Sequence, residues 1–195
     1  MNGENCEILC PDKINRIESI KHIIFLMLNP SSVLTDGQVH KWYLDLILPA
    51  FAWMLFFLQV GLDRHRQSGY PPGKIVLLSF IGLIAGYVVV FLTGILMSML
   101  LTVFGKNIRL QLGISCIALS HTYKTFSLIL GLLYNFFGYS SSVAFGTVGL
   151  LATLLPVYSG IRGLTRGTTF LAPVLAALIG LIFLVFWQLV LKIGL

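Results

Sequence analysis

Long apolar runs alternate with short polar breaks along most of this chain. After about forty mixed and polar residues, the runs predict membrane spans over about 42–62, 75–104, 111–137, 143–161 and 169–191. Each meets the ~20 residues that a helix needs to cross a ~30 Å hydrocarbon core. The second, at roughly thirty residues and about 45 Å of helix, is long enough that it must tilt or project from the bilayer. The predicted fold is all-α: a polytopic transmembrane helical bundle of about five spans, occupying 42–195.

The region before the first span divides further. Residues 1–11 have the composition of a disordered tail. Over 12–29 the pattern predicts a short amphipathic interfacial helix, with Asp12 as N-cap, Ile14, Ile17, Ile24 and Leu28 along one side, and Arg16 and Lys21 flanking it. Asn29-Pro30 ends it, because proline disfavours helix in the residue before it. A polar connector follows over 30–41, and His40, Lys41, Trp42 and Tyr43 have the basic and aromatic character of a membrane interface. No leader peptide is expected, so the first span serves as the insertion signal.

Composition agrees with a lipid setting: 57% of the 195 residues are apolar and only 10% charged, against about 25% charged in a typical soluble domain. The formal net charge is +6, yet all seven carboxylates lie at or before Asp63. The later basic residues sit mostly in short loops between apolar runs, as the positive-inside rule requires and nucleic-acid binding does not. Placing the N-terminus inside puts Lys13, Arg16, Lys21, Lys41, Lys106, Arg109, Arg162 and Arg166 on that side. Arg64, Arg66, Lys74 and Lys192 then lie outside. The expected topology is N-terminus cytoplasmic and C-terminus outside, with the first outer loop more basic than the rule favours. Cys6, Cys10 and Cys116 are an odd set with one inside a span, which does not make a disulfide framework or a metal site.

One polar stretch breaks the third run: Ser120-His121-Thr122-Tyr123-Lys124-Thr125. Two readings stay open. If a continuous helix starts near Gln111, Lys124 lies about 20 Å deep, where a lysine costs about 2.5–3.5 kcal/mol and must face protein or water. His121, three residues back, shares its side, and the two could contact an anionic ligand or lipid phosphate. Alternatively the helix breaks there, Lys124 stays near the cytoplasmic face, and Asp45 pairs with it. The candidate intramembrane polar site is therefore Ser120, His121, Tyr123, Lys124 and Asp45. Gly82 and Gly86 form a GxxxG that lets a neighbouring backbone approach, and Arg162 and Arg166 form a candidate contact for a partner or lipid. No catalytic motif is visible. Ser120 and His121, adjacent on a helix, point about 100° apart and do not make a nucleophile–base pair. No acid follows Asp63 to drive a proton relay. An enzyme is not expected, and neither is a cofactor or a bound metal.

The chain resembles the Yip-domain family, the Ypt/Rab-interacting type of small multispan membrane protein. The likeness covers about residues 20–192. It rests on the amphipathic stretch ending in Asn29-Pro30, the five close-set spans, and the basic, glycine-containing turn Tyr158-Ser159-Gly160-Ile161-Arg162-Gly163-Leu164-Thr165-Arg166-Gly167. It implies a five-span bundle with a cytosolic N-terminus and no catalytic residues. Eukaryotic relatives are adaptors for small GTPases and membrane traffic in the endoplasmic reticulum or Golgi. The short tail here points instead to a prokaryotic member in the cytoplasmic membrane, where some relatives accompany ABC-type exporters. Expected partners are the lipid bilayer and other membrane proteins or a second copy, and not nucleic acid. The expected function is that of a membrane adaptor or accessory subunit, with a small-molecule or ion transporter component using His121 and Lys124 as the alternative.

Overall fold

The computed structural model describes residues 45–106, 108–165 and 170–193. The tail, interfacial helix and connector expected before the first span lie outside these residues, as do Trp42, Tyr43 and Arg166. Among the described residues are five helices: α1 (Ile47–Ser68), α2 (Pro72–Val103), α3 (Leu110–Phe136), α4 (Ser142–Leu164) and α5 (Leu171–Ile193). All five are long and apolar enough to cross a membrane. The protein is an all-α polytopic membrane protein.

The turns between helices follow from local chemistry. Gly69 closes α1 in the left-handed conformation (φ 67°), and its N–H donates to His65 O at 3.0 Å. Three residues later Pro72 opens α2, where a missing N–H costs nothing. Gly105 and Gly138 take the same positive-φ role after α2 and α3. Such short connections make successive helices antiparallel, up and down through the bundle.

The first and third spans show where side-chain hydrogen bonding changes the sequence expectation. The first span was expected to stop near 62, but α1 continues to Ser68, because Asp63 is buried and fully hydrogen-bonded rather than released to water. For the third span the sequence leaves a continuous and a broken helix open, and the structure shows the continuous one, α3 running unbroken for 27 residues. Its polar side chains turn back onto their own helix: Ser120 Oγ donates to Ile117 O at 2.6 Å, Thr122 Oγ1 to Leu119 O at 2.8 Å and Thr125 Oγ1 to His121 O at 3.0 Å. Hydroxyls satisfied in this way carry little cost in an apolar setting and need no break in the backbone.

Helices α1 and α3 form the centre. α2 packs across both, α4 packs against α3, and α5 lies on α4. The order of apolarity is the reverse of that in a water-soluble bundle. α2 and α5, the most apolar spans, are the most exposed, and the less apolar α1 and α3 are the most buried. Lipid is as apolar as leucine, so outward faces carry the hydrophobic load and polar groups are confined inside. What holds α2 to the bundle is a stripe of mostly small residues at four-residue spacing, Gly82, Gly86, Val90, Gly94 and Ser98, all buried. A Cβ added at Gly82 would stand 2.7 Å from Phe57, and one at Gly86 2.5 Å from Trp53, both on α1. Gly94 approaches α3 instead, where an added Cβ would lie 2.7 Å from Ile114 Cα.

Candidate functional site

The polar residues of α3 sit at the middle of the bundle. Lys124 lies near the midpoint of α3, about 20 Å from either end, and is 2% exposed. Its Nζ rests 3.2 Å from the centroid of the Trp53 ring, with the Phe56 ring at 5.9 Å. A desolvated cation on an indole face is stabilised by about 2 kcal/mol or more. That offsets most of the ~2.5–3.5 kcal/mol cost of a lysine at the centre of a span. The partner of this lysine is therefore an aromatic face on α1. Asp45, which the broken-helix alternative pairs with it, precedes α1 by two residues and Trp53 by eight, and the ammonium lies on the Trp53 ring.

The surrounding packing closes the centre. On α4, a Cβ added at Gly149 would lie 3.1 Å from Lys124 Cγ, so that helix's backbone lies directly against the lysine stem. Trp53 meets Phe186 edge-on at 5.0 Å, and His121 meets Phe183 at 5.1 Å. α5 thus covers the same centre from the far side. His121 is wholly buried, and its Nδ1 lies 2.9 Å from Ile117 O. A carbonyl only accepts, so Nδ1 carries the proton and donates. Ser120 Oγ is 3.5 Å from the same ring nitrogen but donates to Ile117 O at 2.6 Å. The adjacent pair thus shares one carbonyl and forms no nucleophile–base couple. Among the described residues, the buried His121 Nε2, Gln59 Oε1 and the indole nitrogens of Trp53 and Trp187 have no hydrogen-bond partner.

Other predicted residues fall elsewhere. Tyr123 is 39% exposed and faces outward, one helical step off the buried side, and does not join the centre. Arg162 is exposed at the end of α4. Cys116 is 2% exposed, two turns before Lys124 on α3. With Cys6 and Cys10 replaced, Cys116 in intact membranes is expected to resist a membrane-impermeant maleimide from either side. Rapid labelling would show that water reaches this position.

Sequence reasoning missed a second polar cluster at the other end of α1. Asp63, 5% exposed, accepts from Asn135 Nδ2 at 2.7 Å, from the backbone N–H of Ser141 at 3.1 Å and from that of Ser142 at 2.8 Å. A carboxylate from α1 thus caps the N-terminus of α4 and is tied to the last turn of α3, where dipole and free N–H groups favour an anion. Beside it Arg66 donates to the carbonyls of Asn135 and Tyr139. Farther into the span, Gln59 Nε2 donates to Leu128 O. The available signal was Gln59 and Asp63, one turn apart in an otherwise apolar stretch, which places both on one helical side.

No family model, characterised protein or solved structure matches the chain. The fold and the site together define a class: a polytopic helical membrane protein with a polar centre sealed inside it.

Proposed function

We propose that the protein is an integral membrane adaptor or accessory subunit of the Yip type, binding another membrane protein or a second copy of itself. In this reading it resides in the cytoplasmic membrane, with the N-terminus on the cytoplasmic side. The observation that carries it is the closure of the centre. Lys124 and His121 are buried to within 2% and Lys124 is occupied by the Trp53 ring, which favours work done through outer surfaces. A transport component is the second reading. It draws on the buried polar atoms without partners, His121 Nε2, Gln59 Oε1 and the two indole nitrogens.

Affinity purification from native membranes in mild detergent separates the two, comparing the native protein with Lys124→Met. Methionine keeps the length and apolar contacts of the stem while removing the charge. The adaptor reading expects one stoichiometric partner retained by both, and folded-state stability within about 1.5 kcal/mol of the native protein. A well-folded protein with no partner would sink it. Flux in proteoliposomes that disappears with Lys124→Met would establish the transport reading.

A further inference from the structure

The turn between α1 and α2 has a charge pattern that neither reading uses. Arg64, His65, Arg66 and Lys74 lie within eleven residues, and the acid nearest to them, Asp63, is turned inward onto Asn135, Ser141 and Ser142. Arg64 Cζ and Lys74 Nζ stand 5.9 and 5.7 Å from the centroid of one ring, that of Tyr70. The turn is built rigidly. His65 Nδ1 donates to Tyr70 O at 2.5 Å, Ser68 Oγ donates to Arg64 O at 3.0 Å, and Gly69 and Pro71-Pro72 hold the corner. Cations held in place on a rigid turn lose little freedom when they bind an anion.

Below this cluster runs an apolar track. Lys74, Ile81, Ala85 and Val88 are spaced by seven, four and three residues, so they fall within about 40° of one line along α2. Ile81, Ile84, Ala85, Val88, Val89 and Phe186 line an open groove of about 350 Å³ between α2 and α5, with no polar lining. From Lys74 to Val88 the rise is about 21 Å, the reach of a long acyl chain.

We propose that this edge is a binding site for an anionic phospholipid, with the phosphate at Arg64 and Lys74 beside Tyr70 and one acyl chain in the α2–α5 groove. The cluster terminates two spans, which sets it at headgroup level, and the groove continues from it into the hydrocarbon. A soluble phosphate would use the cations but not the groove. The inference stands independently of the adaptor reading.

The test is native mass spectrometry of the full chain, released from bilayers of equal phosphatidylglycerol and phosphatidylcholine. Each basic side chain near an anionic surface contributes about fivefold. The native protein is therefore expected to retain phosphatidylglycerol, and Arg64→Gln/Lys74→Gln to retain about 25-fold less. Lys74 is exposed and Arg64 half-buried, and neither holds two helices together, so the double variant should keep its unfolding midpoint. A matched variant at the opposite end, Lys106→Gln/Arg162→Gln, should retain the lipid, and Ala85→Phe, which fills the groove, should lose it. Equal retention by the first pair overturns the site, as does equal loss in the opposite-end pair, which would mean that overall charge alone is responsible. Unchanged retention in Ala85→Phe overturns the acyl assignment, and displacement by inorganic phosphate overturns the lipid assignment.

Discussion

Asp63→Ala is expected to destabilise the protein by about 3 kcal/mol, with separation of α4 from α1 as the first event. The carboxylate is the common acceptor for one side-chain and two backbone donors, contributed by the end of α3 and the start of α4. All of these groups are buried. Removing it leaves Asn135 Nδ2 with Ser141 Oγ alone at 3.2 Å, and leaves the two N–H groups that open α4 without their acceptor. A hydrogen bond to a charged group contributes about 1.5–3 kcal/mol, and a stranded buried donor costs about 1–3 kcal/mol. Relaxation of the turn toward water keeps the total well below a simple addition. Asp63→Asn, which preserves one acceptor oxygen, should recover about half of the loss. Thermal unfolding in mild detergent gives the magnitude, and proteolysis between α3 and α4 shows where opening starts. An unchanged midpoint for Asp63→Ala would mean that the cluster contributes nothing to holding α4.

The number of spans and their approximate positions were legible because lipid selects on length and apolarity alone, and both are local properties of the chain. The continuity of α3 was not. Six consecutive polar or aromatic residues, 120–125, look like an interruption when hydropathy is averaged over them. Whether Ser120, Thr122 and Thr125 break a helix depends on the hydroxyls turning back to carbonyls three or four residues earlier, which hydropathy does not register. Lys124 could be singled out from the sequence, but its partner could not. A search for opposite charge leads to Asp45, whereas the structure offers the face of Trp53, and aromatic residues are too common in spans to mark such a role. In the sequence Asp63 reads only as the last acid of the chain. Its purpose appears only when the start of α4, nearly eighty residues later, is brought against it. Gly82 and Gly86 stood out as a motif, while Gly94 and Ser98 continue the same four-residue spacing past Val90 and turn it toward a second helix.

That second half of the stripe leads to the other large effect. Gly94→Ala is expected to destabilise the protein by about 3 kcal/mol, and Gly94→Leu to prevent accumulation of folded protein. The added Cβ would lie 2.7 Å from Ile114 Cα, a backbone atom at the centre of the α2–α3 contact. Across the interface the fit is equally close, since a Cβ at Gly113 would stand 3.0 Å from Gly94 O. Ser98 Oγ donates to that same carbonyl at 3.0 Å. No rotamer change relieves an overlap with backbone, so the two helices must separate. Separation loosens Val90, Met97 and Leu101, all wholly buried. Overpacking of a tight core costs about 1–3 kcal/mol, and an obstacle made of backbone puts this site at the upper end. In water, apolar burial would hold displaced helices together. In a bilayer lipid replaces those contacts without penalty, so close packing is most of what holds α2. Gly73→Ala, in the first turn of the same helix with nothing within 4 Å of the added atom, supplies the control and should be neutral or slightly stabilising. Equal unfolding midpoints for the two alanine variants would show that α2 and α3 do not depend on this close approach.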